Sequence, residues 1–228
     1  MFIRELDMAA SVARWMKSSG LVVKSEFVTP WGICDLVGLS FNERNVAHRL
    51  ALKQTRAVSS ITRAALLLQV PDVETKRATT IPRLVQRCAP TIPPEVVHRE
   101  VARLIADRFV MASFRGRLQK VNGWIPLQDR LVAVELKLSR IDQAMHQALR
   151  NLGFTQESYV GLPAHVARRI VLNRLRWAQF FDAGVGLLSV ASKKCDVLIP
   201  ARPSRRCIEN AIRLYCVEKF WRTRLRGN

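Results

Sequence analysis

Glu135 and Lys137 lie two residues apart in Leu131-Val-Ala-Val-Glu-Leu-Lys-Leu-Ser139, a run that reads as a buried β-strand. Side chains on a strand alternate, so both charged groups leave the same face of the sheet. Burying an acid and a base in so apolar a strand costs free energy unless they are paired or used. A second carboxylate, Asp35, opens the run Asp35-Leu-Val-Gly-Leu-Ser-Phe41 just after the turn-like Thr29-Pro-Trp-Gly32. Two carboxylates supply the hard oxygen ligands that a divalent cation takes, and a lysine supplies positive charge for a phosphate. The plain alternative is a cross-strand ion pair between Glu135 and Lys137. The apolar neighbours favour a site, because charged side chains are seldom buried without a partner or a task.

These residues need a sheet to position them, and the pattern supplies one. Leu6, Ala9, Ala13 and Met16 recur at helical spacing, predicting a helix over residues 3–18 that ends at Gly20. Residues 21–28 and 35–41 read as two antiparallel strands around Pro30 and Gly32. From 42 to 126 the character turns helical, with helices over 45–58, 60–68 and 81–88. A longer helix opens at Pro93-Pro94, where proline suits the first turn. Residues 109–114 and 118–124 then form a hairpin whose tip is Arg115-Gly116-Arg117. Helices followed by a basic hairpin resemble a winged helix-turn-helix module; the competing reading is a helical insertion that only packs. Strand 131–139 leads into a helix over 141–150, a strand over 157–163 and a helix over 165–181. Strands over 184–191 and 195–200 and a basic helix over 208–225 close the chain. The fold class is therefore α/β, a mixed β-sheet flanked by helices with an inserted, mainly helical winged-helix-like domain. The expected division is a core of 1–41 and 127–228 with 42–126 inserted.

Charge narrows the partners. The chain of 228 residues carries 37 Lys and Arg against 18 Asp and Glu, a net charge of +19. Residues 1–41 are neutral overall, whereas 42–126 and 127–228 carry +9 and +10. Such an excess attracts a polyanion, DNA first and RNA second, and arginine suits phosphate geometry. The five cysteines form no Cys-x-x-Cys pair and read as free thiols; the four histidines have no metal-ligand spacing. No apolar leader or membrane-length apolar run is present, so the expectation is a soluble, cytoplasmic protein with no membrane partner.

Asp35 with Glu135-Leu136-Lys137 resembles the restriction-endonuclease-like, or PD-(D/E)xK, nuclease superfamily. The likeness covers residues 1–41 and 127–200, helix and hairpin followed by strand, helix and strand. The 100 residues between Asp35 and Glu135 require 42–126 to be an insertion. The resemblance implies a Mg²⁺- or Mn²⁺-dependent nuclease in which Asp35 and Glu135 hold the metal ion. Lys137 would orient water or stabilise developing charge. It also implies a glutamine on the next helix, for which Gln147 is the better match and Gln143 the second. Glu26 on the first strand is a further carboxylate for the metal, and Glu5 on the first helix a weaker one. Arg115, Arg117 and Lys120 on the hairpin would meet nucleic acid, with helix 81–88 offered to base edges. Arg168, Arg169, Arg174, Arg176, Arg222, Arg224 and Arg226 are further backbone contacts. Trp124 and Trp221 could stack on bases, while Trp177 reads first as a core residue. Two other functions share this evidence: a non-catalytic DNA-binding regulator with a reused nuclease fold, and an RNA-processing enzyme. A homodimer stands beside the monomer as an assembly.

Overall fold

The computed structural model describes residues 4–203 and 211–226. Its chain divides into two compact units, Met1–Ser40 with Gln128–Ile208, and Phe41–Leu127 with Glu209–Asn228.

The first unit is built on a mixed six-stranded sheet flanked by helices. Helix α1 (Leu6–Ser18) precedes the antiparallel pair β1 (Val22–Thr29) and β2 (Gly32–Phe41). Later strands are β5 (Gln128–Leu136), β6 (Glu157–Pro163), β7 (Gly186–Val190) and β8 (Cys195–Ile199). The sheet order is β1-β2-β5-β6-β7-β8, with β5, β6 and β7 mutually parallel and β8 antiparallel at the edge. Parallel strands are covered on both faces, which explains why residues 131–136 and 157–163 are buried throughout.

Val132, Val134 and Leu136 pack with Met8, Val12 and Met16 of α1. The stripe that α1 buries thus runs through Met8 and Val12, and Leu6 is exposed. The longer methionine and valine side chains fill the sheet surface; Ala9 and Ala13 flank it. The opposite face is covered by α6 (Ile141–Asn151), α7 (Ala164–Leu172) and α8 (Arg174–Ala183) through Ala144, Ala148, Ile170 and Phe180. One helix was expected over 165–181. Asn173 divides it, adopting an extended backbone while its side chain accepts the Arg176 N–H at 3.0 Å and caps α8.

The second unit contains α2 (Glu43–Ala51), α3 (Ile61–Gln69), α4 (Ile81–Cys88) and α5 (Pro94–Ala106). The short hairpin β3 (Val110–Ala112) and β4 (Leu118–Lys120) follows, and α9 (Ala211–Arg226) completes the unit. Assigning all of 127–228 to the first unit therefore misplaces its final helix. Leu214 of α9 packs among Ala64 and Leu67 of α3 and Val101 of α5. Glu218 of α9 pairs with Arg49 of α2 at 2.5 Å, both buried. The Arg49 guanidinium lies 4.2 Å from the Trp221 ring centroid, with the Phe109 and Trp124 rings close by. Trp221 is thereby a core residue of this unit and not a surface for bases, while Trp124 is half-buried against the same core.

The same buried ion pair explains why α2 ends at Ala51 instead of running to 58. Lys53 adopts a left-handed φ of 56°. Arg49 then donates to the Gln54 and Arg56 carbonyls, Glu218 accepts the Val58 N–H, and the Trp221 indole donates to the Thr55 carbonyl. Side chains, not a helical ladder, satisfy this loop.

Removing Glu218 leaves the Arg49 charge buried and the Val58 N–H unsatisfied. Glu218→Ala should lower unfolding free energy by about 3–5 kcal/mol, read by urea denaturation followed through tryptophan fluorescence. A loss below about 1 kcal/mol, the size of an exposed pair, would show that this ion pair does not hold the unit.

Candidate functional site

Strand β5 delivers Glu135 to the centre of the first unit, where its side chain is almost wholly buried. Its Oε1 accepts a hydrogen bond of 2.7 Å from Nδ2 of Asn151, the last residue of α6. Asp35 arrives from β2, and its Oδ2 accepts the Leu136 backbone N–H at 2.7 Å. This bond ties the Asp35 carboxylate to the strand carrying Glu135, close enough for the two carboxyls to act on each other electrostatically. Lys137 continues the pairing one residue beyond β5, donating its N–H to the Gly161 carbonyl at 3.1 Å. Its ammonium acts electrostatically on both carboxyls and forms an ion pair with Glu5 Oε2 at 3.1 Å. Asp35, Glu135 and Lys137, from two non-adjacent stretches of chain, thus lie together.

Burial dominates the electrostatics. Desolvation raises the proton affinity of Asp35 above the ordinary carboxylate range, only partly offset by the Leu136 N–H and Lys137. Desolvation likewise raises that of Glu135, against the Asn151 bond, and Asp35 adds like-charge repulsion. Cys34 lies against the same groups, accepting from Asn151 Nδ2 at 3.5 Å. Burial first, then Glu135, pushes its thiol well above the ordinary value.

A small cavity of about 70 Å³ adjoins Glu135, lined also by Trp31, Gln147 and Asn151. Gln147 Oε1 and Trp31 Nε1 are buried, and among the described residues neither has a hydrogen-bond partner. Gln147 therefore joins the site, while Gln143, one turn earlier, is exposed. Asn151 completes the series Gln143, Gln147, Asn151 at four-residue spacing, a signal present in the sequence but not used.

Glu26 differs from expectation. It is exposed on β1 with a left-handed φ of 46°, and the acid joined to the cluster through Lys137 is Glu5. Among the described residues, no three His, Cys, Asp or Glu side chains gather as a metal-holding group. The donor chemistry nonetheless fits one divalent cation. Two adjacent carboxyls held above their ordinary range would be relieved by a shared positive charge.

The basic residues divide. Arg115 and Arg117 are exposed at the hairpin tip beside Phe114, which is 93% exposed. Lys120 is buried and faces Asp72 at 3.6 Å, so it serves the unit's packing rather than a surface contact. Arg168, Arg169 and Arg174 are exposed on α7 and α8, whereas Arg176 is paired with Asp142. Arg222 is exposed and Arg224 is paired with Glu43. The side chain of Arg226 lies outside the described residues. Trp177, expected inside, stands partly exposed and stacked on Phe181 at 4.9 Å.

The raised carboxyls have a measurable cost. The folded chain binds their protons more tightly than the unfolded chain, so their contribution is most favourable in acid. It is lost as pH rises through the raised values. Asp35→Asn and Glu135→Gln, which keep the hydrogen-bond acceptors, should therefore raise the thermal midpoint by a few degrees at about pH 8. The gain should vanish at about pH 4 and below. A midpoint that falls at pH 8 in both variants would show that the carboxylates stabilise the fold.

No protein-family pattern matches the chain, and no curated protein matches it. Among solved structures it is similar to a protein of unknown function from Silicibacter pomeroyi. The likeness is at 14% identity with a TM-score of 0.46, covering 100% of this chain and 90% of that one.

Proposed function

We propose that the protein is a metal-dependent nuclease of the PD-(D/E)xK type, acting on DNA. The observation that carries this reading is the approach of Asp35 to Glu135, with Lys137 beside both. Asp35, Glu135 and a water-filled remainder would hold Mg²⁺ or Mn²⁺, which when bound polarises a phosphate and acidifies a water. Lys137 offsets part of the charge of both carboxyls and would stabilise negative charge developing on a phosphate oxygen. Glu5 holds the Lys137 ammonium in position. Gln147, with its unpartnered carbonyl oxygen, accepts a hydrogen bond from an attacking water or a substrate hydroxyl. Asn151 fixes the orientation of the Glu135 carboxylate through its Oε1.

For the second unit we propose a winged-helix-like module. Three helices followed by a hairpin support it, as does the bridge that pairs Thr79, between α3 and α4, with Leu118 of β4. In that arrangement α5, immediately before the hairpin, rather than α4, is the helix offered to a groove. The exposed Phe114, Arg115 and Arg117 would form a wing tip along backbone phosphates. The RNA-processing alternative shares the charge but has no observation of its own.

Incubated with plasmid and branched DNA, the protein should cut in Mg²⁺ or Mn²⁺ and not in EDTA. Asp35→Ala and Glu135→Ala should abolish cutting, and Lys137→Ala should slow it by roughly 10²–10³-fold. Metal-dependent cutting that persists in either carboxylate variant contradicts the assignment. Binding provides a separate check on the wing. Arg115→Ala/Arg117→Ala should weaken binding to all DNA sequences and flatten the slope of log affinity against log salt by about 1.8, two phosphate contacts at 0.9 each. An unaltered slope removes the tip from the interface.

A further inference from the structure

The second unit holds a larger cleft, of about 580 Å³. Its lining includes four guanidinium groups, those of Arg56, Arg63, Arg103 and Arg222, against the single carboxylate of Asp107. The four come from separate elements: the loop after α2, the first turn of α3, the end of α5, and α9. Their convergence is a property of the fold and cannot follow from a run of basic sequence.

Two of the arginines are held in place. Arg63 is buried, donates to Glu100 Oε2 at 2.8 Å and faces Asp107 at 3.6 Å, while Arg103 donates to Glu100 Oε1 at 3.0 Å. The other two, Arg56 and Arg222, are exposed, and no ion pair among the described residues engages them. The loop bearing Arg56 and Ser59 is itself fixed, because Arg49, Glu218 and Trp221 bind its backbone from beneath. The cleft therefore presents two oriented and two unsatisfied cations, with the Ser59 hydroxyl among them, on a rigid frame. Like charges so gathered repel one another, and an anion of extended shape relieves them.

We propose that this cleft binds the sugar-phosphate backbone of a nucleic acid, through phosphates at Arg56 and Arg222. The volume exceeds what one inorganic phosphate needs, and guanidinium groups with a hydroxyl suit phosphodiester oxygens. Among its described lining residues none is aromatic, and arginines with a hydroxyl suit contact to the backbone rather than to bases. It extends the nucleic-acid reading given above, yet it does not depend on cleavage.

The experiment measures binding of a fluorescein-labelled 20-base-pair DNA duplex, and a matched RNA duplex, to the full chain in EDTA across a salt series. Three proteins are compared: the natural chain, Arg56→Gln/Arg222→Gln, and the charge-matched Lys17→Gln/Lys193→Gln, whose exposed lysines lie in the first unit. Circular dichroism confirms that each is folded, and neither cleft substitution touches the buried ion pair. The cleft variant should bind at least tenfold more weakly, with the salt slope reduced by about 1.8, while the lysine variant stays within about twofold. Equal affinities for the two variants would overturn the proposal, since binding would then follow net charge alone. No cleavage occurs in EDTA, so this result stands apart from the fate of Asp35 and Glu135.

Discussion

Two neighbouring carboxyl groups in a buried part of a sheet repel one another, and each is held in place against that repulsion. Asp35 is anchored by the Leu136 N–H and Glu135 by Asn151, so neither can swing away to water. Lys137 offsets part of the charge, and its own position is held by Glu5. Burial leaves both carboxyls with raised proton affinity. A protein seeking only stability would place apolar residues at these positions, since a replaced buried polar cluster is often neutral or stabilising. Under the proposed function, that unrelieved charge is what a bound cation would neutralise.

The second unit treats burial differently. Arg49 and Glu218 neutralise each other, and Arg49 Nε and Nη2 and Glu218 Oε2 also bind the backbone of residues 54–58. Aromatic rings of Phe109, Trp124 and Trp221 close over the guanidinium. That fixed loop then carries Arg56 outward, beside Arg63 and Arg103. An interior pair with no net charge thus supports a surface with a large one.

Much of this was legible in the sequence for definite reasons. The apolar run around Glu135 and the alternation after Asp35 specify strands, because a period of two survives without tertiary information. The helix boundaries at Pro94 and Cys88 follow from proline placement and short apolar stripes. What was hidden depended on contacts distant in sequence. The final helix reads as part of the first unit until Glu218 is seen against Arg49, 169 residues away. Lys120 reads as a wing-tip cation until its partner Asp72 is known. Glu26 on a strand reads as the better candidate than Glu5 on a helix until the ion pair of Lys137 with Glu5 is seen. The arginine cleft combines residues spread from 56 to 222, so no local window contains it.

The most direct test of the central claim is calorimetric titration of Mn²⁺ into the protein, repeated across pH and with Asp35→Asn/Glu135→Gln. Proton and cation compete for the same oxygens, so affinity for one bound ion should strengthen as pH rises through the raised carboxyl values and then level off. The double variant should give no such binding at any pH. Binding of equal strength in the double variant, or an affinity independent of pH in the acid range, would contradict the account that these two carboxyls form a cation site.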